Sequence, residues 1–233
     1  MTEETPQTLS AASKRVLRKV IPEYLLKQRS IVLRLGARAG RTYASLCLLD
    51  VLGVRTANQR LVPATARSFL FVCFGNIMRS AMAEFLMRKE LAETASADRD
   101  QVRIMSAGLH ATPGREAHPW MQQAAGGLGV SLAQHRSKLV SREMIEQSDC
   151  IFAMDFQNKA ELLTLYPEAQ EKIYMLSAYA EGAWKYREIP DPYLGDLEVT
   201  RFCAQQLQTC IQNLLAATVL SPKSTEQQAL LER

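Results

Sequence analysis

Histidine is scarce in this chain, with three in 233 residues, and no two cysteines form a C-x-x-C pair. A zinc site therefore has little to build on. Five cysteines, an odd count without framework spacing, argue against a disulfide scaffold and for reduced thiols, so a cytoplasmic location is expected. Long apolar runs are missing too. The stretch "TYASLCLL" is stopped by Asp50, well short of the roughly 18 residues of a spanning helix. The opening "MTEETPQTLS" is acidic and polar, unlike the basic and then apolar start of a secretory signal. There is no internal repeat and no low-complexity tract. What remains, 47% hydrophobic and 22% charged residues, is the composition of a globular protein.

The net charge of +4 hides a division. Residues 1–66 hold eleven Lys/Arg against four Asp/Glu, a balance of +7, whereas the remainder holds seventeen against twenty, or −3. We expect three parts: a basic, helical extension over 1–66, a folded domain over 67–217, and a tail over 218–233. The extension mixes apolar and basic residues at helical spacing, broken near Pro22 and around Gly36–Gly40. It reads as two or three helices packed on the domain, or as a basic amphipathic surface for peripheral contact with anionic membrane. No nucleic-acid-binding module is recognisable.

From residue 67 strand-like and helix-like pieces alternate. "SFLFVC", "VRIMSAG", "CIFAMD" and "KIYML" read as strands. "SAMAEFLMRKELAET", "AHPWMQQAAGGLG", "SREMIEQSD", "FQNKAELLTLYPEA" and "DLEVTRFCAQQLQTCIQNLLAAT" read as helices. In the last, Phe202, Leu207, Cys210, Ile211, Leu214 and Leu215 are the expected buried face. Such alternation predicts an α/β fold: a four-stranded parallel sheet with helices on both faces. Ligands of such sheets sit where strand C-termini feed helices, and "CFGNIMRS" lies at such an end.

That stretch has the makings of an anion cradle. Backbone N–H groups turning into a helix N-terminus bind anions. Gly75 and Asn76 tolerate the left-handed backbone that curls the loop. Cys73 at the base would be the nucleophile, and Arg79's planar fork would grip two phosphate oxygens. Ser80 would donate to the sulfur as it leaves. C-x5-R alone is a weak signal, because a cysteine ending a strand is more often simply buried. The internal Gly-Asn and the terminal Arg-Ser sharpen it.

The loop resembles the C-x-G-N-x-x-R-S loop of the low-molecular-weight protein-tyrosine phosphatases. "MSAG", "AQHRSK", "IFAMD" and "DPYLGDLEVTRFCAQQL" match further motifs of that family in order, over residues 68 to about 217. The resemblance implies a Rossmann- or flavodoxin-like sheet and hydrolysis of phosphotyrosine through a cysteinyl-phosphate, without metal or cofactor. It implies Cys73, Arg79 and Asp191 as catalytic residues, Asp191 being the general acid. It implies substrate contacts from Phe74, Gly75, Asn76, Ile77, Met78, Ser80 and Tyr193. Asn76, Ser106 and His135 would form the network holding the loop. The expected partner is a phosphotyrosine protein, a bacterial tyrosine kinase of exopolysaccharide export among the candidates. Alone, Asp191 reads as a turn residue, Tyr193 as a core or rim tyrosine, and His135 as a surface histidine. His110 and His118 receive no role.

Two departures and three rivals frame this reading. Met78 stands where relatives often carry a second cysteine, and Ala81 where they carry proline. Arsenate reductases share the loop but need a further cysteine at the end of the third strand, where this chain has Met154. Arginine-specific phosphatases carry threonine after the loop Asn, where this chain has Ile77. A phosphotyrosine-binding module without activity would lack one of Cys73, Arg79 and Asp191, and all three are present.

Overall fold

The computed structural model describes residues 23–54, 61–94 and 101–218, with side chains from residue 28 onward. The expected structure of the first 22 residues and of the tail beyond 218 lies outside the described residues.

Four short apolar segments form the sheet: β1 (Ser68–Cys73), β2 (Arg103–Gly108), β3 (Cys150–Ala153) and β4 (Ile173–Met175). All pairs are parallel, in the order β2-β1-β3-β4. The central strands β1 and β3 are buried almost throughout, which is why they read as continuous apolar runs instead of alternating. Successive side chains still point to opposite faces. Phe69, Phe71 and Phe152 go to one side, where the Phe71 and Phe152 rings stack with centroids 5.3 Å apart. Leu70, Val72, Ile151 and Ala153 go to the other.

The first face is covered by α2 (Arg79–Glu93), α3 (Pro119–Gly127) and α6 (Leu197–Ala217), and the second by α4 (Arg142–Glu146) and α5 (Phe156–Leu165). Asp155 and Asp196 cap α5 and α6 by accepting from Asn158 N and Val199 N. The buried stripe of α6 runs Thr200, Cys203, Ala204, Leu207, Cys210, Ile211, Leu214, Leu215. Each large apolar side chain in it contributes about 2 kcal/mol of burial. Phe202 is a correction to the expected stripe. It lies one residue out of phase, is 46% exposed and packs edge-on against Trp184.

The extension forms α1 (Glu23–Val51), broken at Gly36, whose φ of 74° and ψ of −178° only glycine adopts readily. The Tyr43 hydroxyl donates to the Gln28 carboxamide, although a straight helix would place residues 28 and 43 about 22 Å apart. The arms 23–35 and 37–51 therefore fold back as a hairpin. Gly40 lies where they meet, and a Cβ there would stand 2.6 Å from Val32 O. Ile31, Val32, Leu35, Tyr43 and Leu46 join α5 in the second core cluster. The break expected around Gly36–Gly40 falls at Gly36, the one expected near Pro22 lies outside the described residues, and the helical pieces described are two arms of one hairpin.

Candidate active site

β1 ends at Cys73, in register with Gly108 at the end of β2. The chain then turns through residues 74–78 into α2, whose N-terminus no side chain caps. Its first backbone donors are therefore open to an anion. Asn76 sits at φ 53°, the left-handed conformation the turn needs. Gly108 is the other requirement. A Cβ on it would lie 2.8 Å from Asn76 N, from the Gly75 carbonyl carbon and from Phe74 O, all backbone atoms of the loop.

Asn76 is fully buried and uses every polar group it has. Its Nδ2 donates to Ser80 Oγ and Ser106 Oγ, both at 2.9 Å, and its Oδ1 accepts from Lys138 N at 2.8 Å. Its carbonyl lies 2.6 Å from His135 Nε2; a carbonyl only accepts, so that nitrogen carries the proton. Burial pulls the His135 pKa below its ordinary value, against the opposing pull of this hydrogen bond. Ser106 donates onward to Glu84, a buried carboxylate of α2 that also accepts from Arg88.

The Cys73 sulfur lies 3.0 Å from Ser80 Oγ and accepts from Asn76 N at 3.3 Å. Ser80 Oγ can also donate to Ala107 O at 3.2 Å. One hydroxyl proton thus has two acceptors, and a thiolate would draw it toward the sulfur. Burial pushes the Cys203 and Cys210 thiols up to about 12 and the Cys47 thiol up to about 11.

Arg79 is 1% exposed. Its Nη1 donates to Asp155 Oδ2 at 2.6 Å and to Ile189 O at 3.0 Å, and its Nη2 to Asp191 Oδ2 at 2.8 Å. Its Nε is buried without a protein partner. Burial works against this cation, but the Asp155 and then the Asp191 carboxylate outweigh it and hold the guanidinium charged. Tyr193 follows Asp191 on the rim, 48% exposed, and its N–H donates to Asp191 Oδ1.

These groups meet in a cleft of about 190 Å³. The buried Cys73 and Arg79 form its floor, Phe74, Gly75, Ile77, Met78 and Tyr193 line it, and the part-exposed Asp191 stands at its rim. Ser80, Ser106, Asn76 and His135 lie behind the floor and tie the loop to β2 and to residues 135–138. Among the described residues no group of three or more His, Cys, Asp or Glu side chains comes together to hold a metal ion.

Residues 68–225 match the family described as low molecular weight phosphotyrosine protein phosphatase. The chain belongs to this family. A low molecular weight protein-tyrosine-phosphatase of Acinetobacter johnsonii is 30% identical over 62% of this chain and 93% of its own. A protein-arginine-phosphatase of Geobacillus stearothermophilus is 32% identical over 62% and 91%. The solved tyrosine phosphatase amsI of Erwinia amylovora superposes with a TM-score of 0.59 at 27% identity, covering 66% of this chain and 94% of that one.

Several residues of this phosphatase fold's site went unassigned in the sequence. Asp155 stands in the matched "MD" pair, yet only the fold turns it toward Arg79. Glu84 supports Ser106 from a helix position with no signal of its own. His110, Thr112 and Arg115 line the cleft, and His118 packs edge-on against Tyr193 at 5.7 Å. The loop between β2 and α3 carries all four, and its sequence shows no period from which their facing could be read.

Proposed function

We propose that this protein is a cysteine-dependent phosphatase that removes phosphate from phosphotyrosine in proteins. What carries the reading is one juxtaposition: the Cys73 sulfur, the Arg79 fork and the Asp191 carboxylate share one cleft. A phosphate dianion enters over the loop N–H groups and takes the Arg79 Nε and Nη2 donors, while Asp155 and the Ile189 carbonyl keep Nη1 in place. The Cys73 thiolate attacks phosphorus as the P–O bond to the phenol breaks. Asp191, released from Arg79 and having taken up a proton from solvent, gives that proton to the departing oxygen. The resulting carboxylate then takes a proton from the water that attacks the cysteinyl-phosphate. The sulfur leaves as a thiolate, held by Ser80 Oγ and Asn76 N. Tyrosine and inorganic phosphate are the products.

Tyrosine- and arginine-directed relatives match this chain at similar identity, and the apolar part of the lining supports the first. Ile77, Met78, Phe74 and the exposed Tyr193 form an apolar slot suited to an aromatic ring. They offer no partner for the polar nitrogens of a phosphoarginine. Met154, fully buried, closes β3 where an arsenate reductase needs a thiol. The physiological substrate we favour is a tyrosine kinase of exopolysaccharide export, in the cytoplasm. Peripheral contact with anionic lipid through residues 1–66 is the partner reading for the extension. Exposed Leu33 and Leu48 on the same hairpin as Arg34, Arg38 and Arg41 support it. Among the described residues no helix is long and apolar enough to cross a membrane.

The test is phosphate release from matched phosphotyrosine and phosphoarginine peptides. Release from the first, lost by more than about a thousandfold in Cys73→Ser while vanadate still binds, is the expected result. Preferential release from phosphoarginine would overturn the substrate assignment.

A further inference from the structure

The N-terminal hairpin reaches the cleft through a chain of side chains. Arg34, on the first arm of α1, donates from Nη2 to Gln157 Oε1 of α5 at 3.1 Å. Gln157 Nε2 donates to Glu161 Oε1 at 3.1 Å, one turn further along α5. Glu161 Oε2 lies 2.5 Å from His110 Nε2. The His110 ring lies over the Phe74 ring, with centroids 4.6 Å apart and planes at 32°. Both rings line the cleft.

Each link has a physical reason to hold. Glu161 is 7% exposed, and a carboxylate withdrawn from water that far needs donors on its oxygens. Gln157 fills one and His110 the other, which fixes the imidazole with its Nε2 proton toward Glu161. The His110 backbone is fixed as well: its N–H donates to Phe74 O at 2.8 Å, and that of Leu109 to Cys73 O at 2.9 Å. His110 is thus bound to the residue that follows the nucleophile by both backbone and ring. Phe74 remains 39% exposed, and the His110 side chain 48%. They stand at the mouth, above the floor that takes the phosphoryl group. A peptide chain flanking a phosphotyrosine would meet His110, whereas a small aryl phosphate reaches only the floor and the apolar slot to which Phe74 belongs.

We propose that His110 is a positioning residue for the peptide around the phosphotyrosine, and that the N-terminal hairpin sets it through Arg34, Gln157 and Glu161. The proposal rests on the phosphatase reading of the cleft. It gives the extension a role in choosing substrates from within the molecule.

The experiment uses the full chain and three variants, Arg34→Ala, His110→Ala and the double variant, with p-nitrophenyl phosphate and a phosphotyrosine peptide as substrates. Arg34 is exposed and remote from the floor, so its loss leaves p-nitrophenyl phosphate turnover within about twofold. It raises the peptide KM about threefold with kcat held, the share of one exposed hydrogen bond. His110→Ala raises the peptide KM about tenfold. The double variant matches His110→Ala alone, because Arg34 acts only through that ring. Additive effects of the two substitutions, or an unmoved peptide KM in both, would overturn the proposal. A second readout needs no turnover. With three histidines in the chain, the ring 15N signals of His110 resolve readily and shift in Arg34→Ala. Unshifted signals would sink the hairpin link even if the enzyme is active. Absence of turnover on both substrates would instead remove the phosphatase reading on which the proposal stands.

Discussion

Arg79 and Asp191 are ion-paired across the cleft, Nη2 to Oδ2 at 2.8 Å, while the other arm of the same guanidinium holds Asp155 at 2.6 Å. The two carboxylates are not equivalent. The Asp155 side chain is 17% exposed and also caps α5, so it stays with Arg79 as a fixed anchor. The Asp191 side chain is 43% exposed on the cleft rim. In the proposed reaction a phosphate dianion would compete for the same Nη2 donor and displace Asp191 from it.

The role of Asp191 is open to a leaving-group test. Asp191→Asn keeps the size and the contact to Tyr193 N but cannot deliver a proton. Hydrolysis of phenyl phosphate should fall by about a hundredfold or more, and that of a dinitrophenyl phosphate by less than about tenfold, since only the poor leaving group needs the proton. Steady-state rates on the two esters decide it. Equal losses would move the acid elsewhere.

Gly108 supplies no group to the cleft lining, yet its missing side chain is what lets the loop rest on β2. Gly108→Ala places a methyl 2.8 Å from three backbone atoms of residues 74–76. The strand keeps its hydrogen bonds, so the loop is the part that yields. We expect a folded protein with kcat/KM on p-nitrophenyl phosphate lowered by about a hundredfold, a displacement near 1 Å being enough to cost that much. Circular dichroism alongside the kinetics separates this from unfolding, and activity within threefold of the parent would refute it.

His135 predicts a pH dependence of stability. Its pKa in the fold is lowered, burial being the main cause, so the unfolded chain binds the proton more readily. Stability is fully present above the unfolded value near 6.5 and is lost as pH falls through it, until the folded value is reached. The slope from this one group cannot exceed about 1.4 kcal/mol per pH unit. Urea midpoints measured at pH 7.5 and 5.5 should drop more for the parent than for His135→Gln. Parallel drops would assign the dependence to other groups.

The loop carries Met78, 2% exposed, where a neighbouring thiol would trap an oxidised nucleophile. Cys203, which donates to Pro190 O beneath the Asp191 loop, is pushed up to about 12 by burial, which disfavours its thiolate. A sulfenic acid on Cys73 therefore proceeds up the oxidation ladder. Peroxide should inactivate the enzyme with little recovery on dithiothreitol, and Met78→Cys should make the loss reversible. Peptide mass after the pulse identifies the product; a disulfide from Cys73 to any cysteine in the parent would count against this.

The loop that joins Cys73 to Arg79, the Asp-Pro turn at Asp191 and the alternating elements that bring them together could be read from the chain alone. They depend on short-range patterns: a run of apolar residues, a glycine and an asparagine at fixed offsets, and an Asp-Pro turn. Phe202 shows the limit of such patterns. Helical spacing admits it to the buried stripe, but the phase of a stripe is set by what packs against it, and Trp184 was available to cover it outside. The extension shows the same limit. Its break at glycine was visible, but whether its arms spread or fold back was settled by Gln28 meeting Tyr43 and by α5 offering an apolar face. Asp155 on Arg79, Glu84 behind Ser106, and the line from Arg34 to His110 join residues far apart in sequence. No local preference encodes such pairs. They arise because a buried charge must find partners among whatever groups the packed sheet and helices bring within reach.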